Sequence, residues 1–349
     1  MNSKAHPYKN LPDSSFWSRW VSSGSRASEL FVGSAPILEP NDRIISAGSC
    51  FAGNIVPFLE AAGFDYIRTE RIDDATDRFG YSRYSAAYGN IYTPRQLVQL
   101  LRRCGGEFAP VEDRWHCDTG VIDPFRPGLP FPAEDDEEFD LVTSSHLAKT
   151  LEAFSTASVF IFTLGLTETW ISSIDGAVFP ACPGTVAGNF DPVRHRFANF
   201  RVVEIIEDLR TAIREARSIN PHVRVILTVS PVPLAATATE NHVYCATVYS
   251  KSALRAACEE VCQSEKDTIY FPAYEIVSGF DARTNFERDL RTVNEVGLKS
   301  VVDALFDHCI MPMDRPAASS SDDLRIAADL SGKLARFECE EAMTDPSAF

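Results

Sequence analysis

Short apolar runs recur along the chain with helical periodicity between them, and that alternation restricts the fold more than any other feature. Arg43 to Ala47, Ser158 to Leu164 and His222 to Val229 are rich in β-branched and aromatic residues and too short for helices, as strands buried on both faces are. Thr268 to Phe271 is a weaker example. Helical spacing falls over Ala52 to Ala62, Pro94 to Arg103, Ser145 to Phe154, Phe200 to Ile219, Val248 to Glu265 and Asn294 to Cys309. Strand then helix, repeated, predicts an α/β protein with a parallel sheet. Nothing repeats with a period of about 20 to 50 residues, which removes solenoids and propellers.

Length alone, at 349 residues, allows one α/β domain with insertions or two domains. The pattern predicts one domain over residues 1–309, with an insertion over 105–142 and a tail or appended helix over 310–349. The insertion is rich in Pro, Gly and acids, including the run Glu134 to Glu138, and lacks a regular period. Long irregular connections in compact domains are often lids or binding loops, and an acidic run is also ordinary solvated surface.

Charge narrows the partners. With 33 basic and 49 acidic residues, the net charge is −16, and no Lys/Arg stripe could track a phosphate backbone. Nucleic acid and anionic membrane surfaces are therefore not expected as partners, although a local basic pocket could still hold an anionic donor. No apolar run approaches the roughly 20 residues of a membrane span, and the first residues lack an apolar signal core, so a cytoplasmic location is expected. The nine cysteines are scattered without paired spacing, which argues against a disulfide framework or a metal site. Cys258 and Cys262, one helical turn apart, read as buried thiols on a helix face.

In a parallel sheet, ligands gather at the carboxyl ends of the strands, where helix N-termini and loops converge. The segments there are Gly48-Ser49-Cys50-Phe51-Ala52, Gly165-Leu166-Thr167-Glu168-Thr169-Trp170 and Ser230-Pro231-Val232-Pro233-Leu234. The first is the most specific. Glycine permits a sharp turn, and a thiol at the start of the next helix gains from exposed amides and the helix dipole, which favour the thiolate and can hold an oxyanion. Cys50 has that position. The plain alternative is a small buried Cys50 with Ser49 as helix cap.

The string GSCFA at Gly48 to Ala52 resembles the signature of the GSCFA family, which is grouped with SGNH/GDSL-type esterases and acyltransferases. Asn90-Ile91-Tyr92-Thr93-Pro94, Thr163 to Trp170, Thr228 to Leu234, His242 with Ser250-Lys251-Ser252, and Tyr270 to Ile276 resemble it too. The resemblance implies a three-layer, flavodoxin-like sheet with helices on both faces, and acyl-ester hydrolysis or O-acyl transfer on a small-molecule or carbohydrate ester. Acetyl-CoA is a candidate donor, and no cofactor or metal is required. The nucleophile falls on Cys50, or on Ser49 if the motif is shifted by one residue. Gly89, Asn90, Gly165 and Thr167 are the oxyanion candidates, because Gly165-Leu166-Thr167-Glu168 lacks the Asn expected there.

The chain departs most from GDSL-type enzymes at Asp289-Leu290-Arg291-Thr292, where Thr292 replaces the expected His. His242 is then the first candidate base and His195 the second, with Glu168 or Glu275 to orient the ring. Phe162, Trp170, Tyr249 and Tyr274 are candidates for an acyl or sugar pocket, with core packing as the alternative, and Lys251 with Arg255 for CoA phosphates, where solvated surface is the more ordinary reading. Loss of the usual His and Asn leaves a second class open, a binding or assembly protein that kept the scaffold and lost its chemistry.

Overall fold

The computed structural model describes residues 6–24, 27–30, 38–70, 84–129, 132–279 and 282–309. The expected tail over 310–349 lies outside the described residues. Besides short 3₁₀ turns, the elements in chain order are α1 (Trp17–Trp20), β1 (Arg43–Gly48), α2 (Cys50–Ala61), β2 (Asp65–Tyr66), α3 (Pro94–Cys104), β3 (Trp115–Cys117), β4 (Gly120–Ile122), α4 (Asp136–Thr156), β5 (Val159–Leu164), β6 (Glu168–Ser172), β7 (Val178–Phe179), β8 (His195–Asn199), α5 (Val202–Ile219), β9 (Arg224–Val229), α6 (Val243–Ser264), β10 (Thr268–Phe271), α7 (Ala273–Ser278), α8 (Ala282–Asn285) and α9 (Glu295–Cys309).

Five of the strands form one parallel sheet in the order β10-β9-β5-β1-β2. Counted along the chain, that is the flavodoxin-like order, and it reverses between β1 and β5, the switch point at which such sheets open a crevice. There Gly48 pairs with Thr163, which in turn pairs with Thr228 of β9.

Alternate strand residues face opposite ways, and both sets are mostly apolar, with Ser46, Thr163 and Thr228 as buried exceptions. Ile45, Ala47, Phe160, Phe162, Leu164, Val225, Leu227 and Val229 pack with α3, α4, α5 and α6. Ile44, Val159, Ile161, Ile226 and Phe271 pack with α2, α7 and α9. A sheet covered on both faces explains why its strands carry no polar alternation. The result is a three-layer α/β fold.

Two short antiparallel sheets escape the apolar pattern, β3-β4 within residues 105–142 and β7-β6-β8 after β5. Their strands are two to five residues long and mix polar with aromatic side chains, so no period stands out. The acidic run is a helix start instead of a loop: Asp135 Oδ1 accepts from Glu138 N at 2.9 Å, and Asp136, Glu137 and Glu138 fill the first turn of α4. Acids there complement the helix dipole. Helix α6 likewise begins before Val248, at Val243 behind His242.

Candidate active site

The crossing from β1 into α2 requires glycine. Gly48 has φ 146°, and a Cβ there would lie 2.3 Å from the Thr163 carbonyl oxygen of the neighbouring strand. The chain presses against β5 as it turns, and Ser49 N donates to that same Thr163 oxygen at 3.1 Å. Ser49 is the N-cap residue of α2, yet its side chain makes no capping bond. The Ser49 hydroxyl is buried and has no hydrogen-bond partner among the described residues, a costly state for a polar group. Cys50, the first residue of α2, is half-buried and packs on Tyr92, Leu166, Leu234 and Ala246 beside Val243.

The segment before α3 and the loop after β5 close on this point. Ile91 N donates to Gly48 O at 2.8 Å. Tyr92 O accepts from Gly165 N at 2.8 Å and from Leu166 N at 3.4 Å. A Cβ on Gly165 would meet the Tyr92 ring at 2.8 Å and Ser49 Cβ at 3.3 Å, so this loop approaches the nucleophile segment as closely as a bare backbone allows. The segment through Tyr92 is fixed by the capping box of α3, in which Gln96 Oε1 accepts from the amides of Tyr92 and Thr93 at 2.9 Å each.

The other expected residues are placed differently. Gly89 adopts φ 66°, and the buried Asn90 beside it accepts from the Tyr84 hydroxyl through Oδ1 at 2.6 Å. The Thr167 hydroxyl turns to Asn199 Oδ1 at 2.6 Å, and Thr167 N donates to Ser250 Oγ at 3.0 Å, so neither group is aimed at Cys50. Glu168 does not orient His242: its carboxylate accepts from Thr237 Oγ1 at 2.7 Å and Ala238 N at 3.3 Å, and burial raises its pKa despite those bonds. It thus anchors the loop that leads to His242. His242 is exposed at the N-cap of α6, with Nδ1 accepting from Tyr244 N at 3.1 Å. Accepting that bond through Nδ1 leaves the proton of the neutral ring on Nε2.

His195 is buried in the β6-β8 region, with Nε2 at 3.1 Å from Glu112 Oε2 and Nδ1 accepting from Asp191 N at 3.1 Å. Both ring nitrogens are engaged, one by Glu112 and one by the Asp191 amide. Glu275 is held by Arg255 Nε at 2.7 Å and the Tyr270 hydroxyl at 2.8 Å, and Arg255 lies over the Tyr270 ring. Neither joins the Cys50 cluster. Lys251 is buried instead of solvated, with Nζ donating to Gly165 O, so it does not form a surface phosphate pair with Arg255. Phe162 lies in the sheet core, Trp170 packs edge-on to Phe190 and Phe197, Tyr249 reaches the Phe200 carbonyl, and Tyr274 packs against the main core. The apolar residues around Cys50 are thus others, Tyr92, Leu166, Leu234 and Ala246. Nothing in their residue types separates them from core.

At Asp289-Leu290-Arg291-Thr292 the turn satisfies itself. Asp289 Oδ1 accepts from the amides of Arg291 and Thr292 at 2.9 Å each, and Oδ2 accepts from Thr292 Oγ1 at 2.6 Å. Burial works to raise the Asp289 pKa, but those bonds outweigh it and hold the carboxyl below its ordinary range.

A buried ionic cluster went unnoticed in the sequence. Arg126 Nε donates to Asp123 Oδ2 at 2.9 Å, Arg103 approaches the same oxygen at 3.8 Å, and His146 Nδ1 lies 2.7 Å from Glu70 Oε2. Arg126 also donates to Ala87 O at 3.1 Å, and Ala87 N donates to Glu70 at 2.8 Å, so the cluster fixes the chain leading to Gly89 and Asn90. Its charges balance one another, which suits a structural role.

Among the described residues, no group of three or more His, Cys, Asp or Glu is placed to hold a metal ion, and no helix is long and apolar enough to cross a membrane. Cys258 is fully buried, and burial pushes its thiol well up and that of Cys262 up to about 12. Comparison with protein families matches residues 43–305 to the GSCFA family, a span that contains every element from β1 to the body of α9. No curated protein matches the chain. With the Gly48 to Ala52 signature seated at the switch point of its sheet, the chain belongs to the GSCFA family.

Proposed function

We propose that the protein is an SGNH-like acyl-ester hydrolase or O-acyltransferase that works through a covalent acyl intermediate on Cys50. The observation that carries this reading is the half-buried Cys50 at the first position of α2, at the sheet's switch point, behind a Ser49 whose side chain makes no capping bond. Uncapped amides at a helix N-terminus favour a thiolate and offer donors to an oxyanion. The thiolate attacks the carbonyl carbon, and the amides at the start of α2 receive the negative charge. The apolar cluster of Leu166, Leu234 and Ala246 suits a short acyl group.

Attack by a thiolate needs no base at the moment of bond formation. Deacylation does, since water or an acceptor hydroxyl must lose a proton. His242 is the candidate for that step, released from its cap, because the neighbouring Val243 touches the Cys50 cluster. Water as acceptor makes the protein an esterase, and a sugar hydroxyl makes it a transferase. An acylated sugar or polysaccharide is the proposed substrate class, by analogy with the scaffold, and acetyl-CoA is a proposed donor.

Hydrolysis of p-nitrophenyl acetate by wild type, Cys50→Ala and Ser49→Ala tests the assignment. Cys50→Ala is expected to lose activity by about 10³-fold or more with its fold retained. Wild-type turnover in that variant sinks the reading, and selective loss in Ser49→Ala moves the nucleophile to the buried hydroxyl. One observation favours a second reading, a non-catalytic binding protein: the Asp289 carboxylate is consumed by its own turn, and Thr292 stands where a His would be. No turnover by the wild type would support it.

A further inference from the structure

Lysine side chains are almost never fully buried without a reason, and Lys251 is 1 % exposed. It sits on α6, with Nζ donating to Gly165 O. The residue before it, Ser250, accepts from Thr167 N at 3.0 Å. Two consecutive residues of one helix therefore grip both ends of Gly165-Leu166-Thr167, the loop that packs against Ser49 and Tyr92.

What this grip controls is one peptide group. The carbonyl of the Gly165–Leu166 peptide faces the ammonium, and its N–H belongs to Leu166, a member of the apolar cluster around Cys50. That N–H is held weakly, at 3.4 Å from Tyr92 O, an oxygen already taken by Gly165 N at 2.8 Å. A cation on a carbonyl oxygen draws electron density through the amide and makes its N–H a stronger donor.

We propose that Lys251 is a positioning residue for acyl transfer: it locks and polarises the Gly165–Leu166 peptide so that Leu166 N–H donates, with the first amides of α2, to the oxyanion formed at Cys50. This rests on the acyl-transfer reading of Cys50. In the step concerned, the Cys50 sulfur forms a bond to the ester carbonyl carbon while the C=O π pair moves onto oxygen. Leu166 N–H holds that oxygen. The pair then returns, the bond to the leaving oxygen breaks, and p-nitrophenolate departs from an acetyl thioester.

The test compares two reactions of one thiol in full-length wild type, K251M and K251Q. Acetylation by p-nitrophenyl acetate passes through an oxyanion, whereas alkylation by iodoacetamide displaces iodide at a methylene carbon and forms none. K251M is expected to acetylate Cys50 about 10- to 100-fold more slowly with KM unchanged, and K251Q, which keeps a donor without the charge, to fall between. Alkylation rates should stay within about twofold of wild type in both, because no oxyanion donor is used. Wild-type acetylation in both variants overturns the proposal, and so does a parallel fall in acetylation and alkylation, which marks Lys251 as a structural support. If K251M does not fold, K251Q alone decides by the same comparison. A wild-type Cys50 that is alkylated yet never acetylated defeats the acyl-transfer reading itself, a different result from either.

Discussion

Burial, joined by the nearby Arg126 charge, pushes the His146 imidazole down to about 4, against the opposing pull of its bond to Glu70. In the unfolded chain the same ring titrates near 6.5. Between these values the unfolded state binds a proton that the native state refuses, so stability is full above about pH 6.5 and is lost as the pH falls towards 4. At pH 5 this one group is expected to remove about 2 kcal/mol relative to pH 8. Urea midpoints at the two pH values check it: H146Q should lose most of the slope, and an unchanged slope contradicts the assignment. The sequence carried no sign of this cluster, because Glu70 and His146 lie far from the Asp123–Arg126 pair in the chain and each residue resembles surface. Gly48 is the opposite case. Its need for a turn was readable from the motif, although the Thr163 carbonyl that excludes a side chain there belongs to another strand.

Elements were legible where their physics is local. The strands Arg43–Gly48, Val159–Leu164 and Arg224–Val229 announce themselves because both of their faces are buried, and the edge strand Thr268–Phe271 is fainter because Ile269 and Tyr270 are only half-buried. The β6-β7-β8 sheet does not, since its short strands owe their pairing to contacts such as Trp170 opposite Phe197 and Phe179. Helix α4 was legible at its end and not at its start, because an acidic run is both a helix N-terminus and a solvated loop until Asp135 is seen to cap it. Glu168 and His242 were readable as polar residues near strand ends, but not that they stand apart. The structure makes Glu168 the anchor of the segment that leads into α6. Glu168→Ala leaves the Thr237 hydroxyl and the Ala238 amide without their acceptor and should cost about 1–3 kcal/mol. Glu168→Gln keeps an acceptor and should cost less. Thermal unfolding of the two variants checks the order, and equal losses would mean that the charge, not the anchoring, matters.

At the scale of the molecule, the account depends on one coincidence of topology and chemistry. The strand order reverses between β1 and β5, and the loop that leaves β1 there carries the family signature, a glycine without room for a side chain, a buried hydroxyl with no partner among the described residues and a half-buried thiol. Strand ends as the place for chemistry followed from the parallel sheet alone. Which loops meet did not, because Tyr92, Gly165 and Leu234 lie far apart along the chain and are joined only by the fold. The most direct measurement is the intact mass of wild type, Cys50→Ala and Ser49→Ala after mixing with p-nitrophenyl acetate and, separately, with acetyl-CoA. The account predicts an acetyl adduct on wild type and Ser49→Ala that is missing from Cys50→Ala. An adduct that persists in Cys50→Ala, or none on the wild type from either donor, contradicts it.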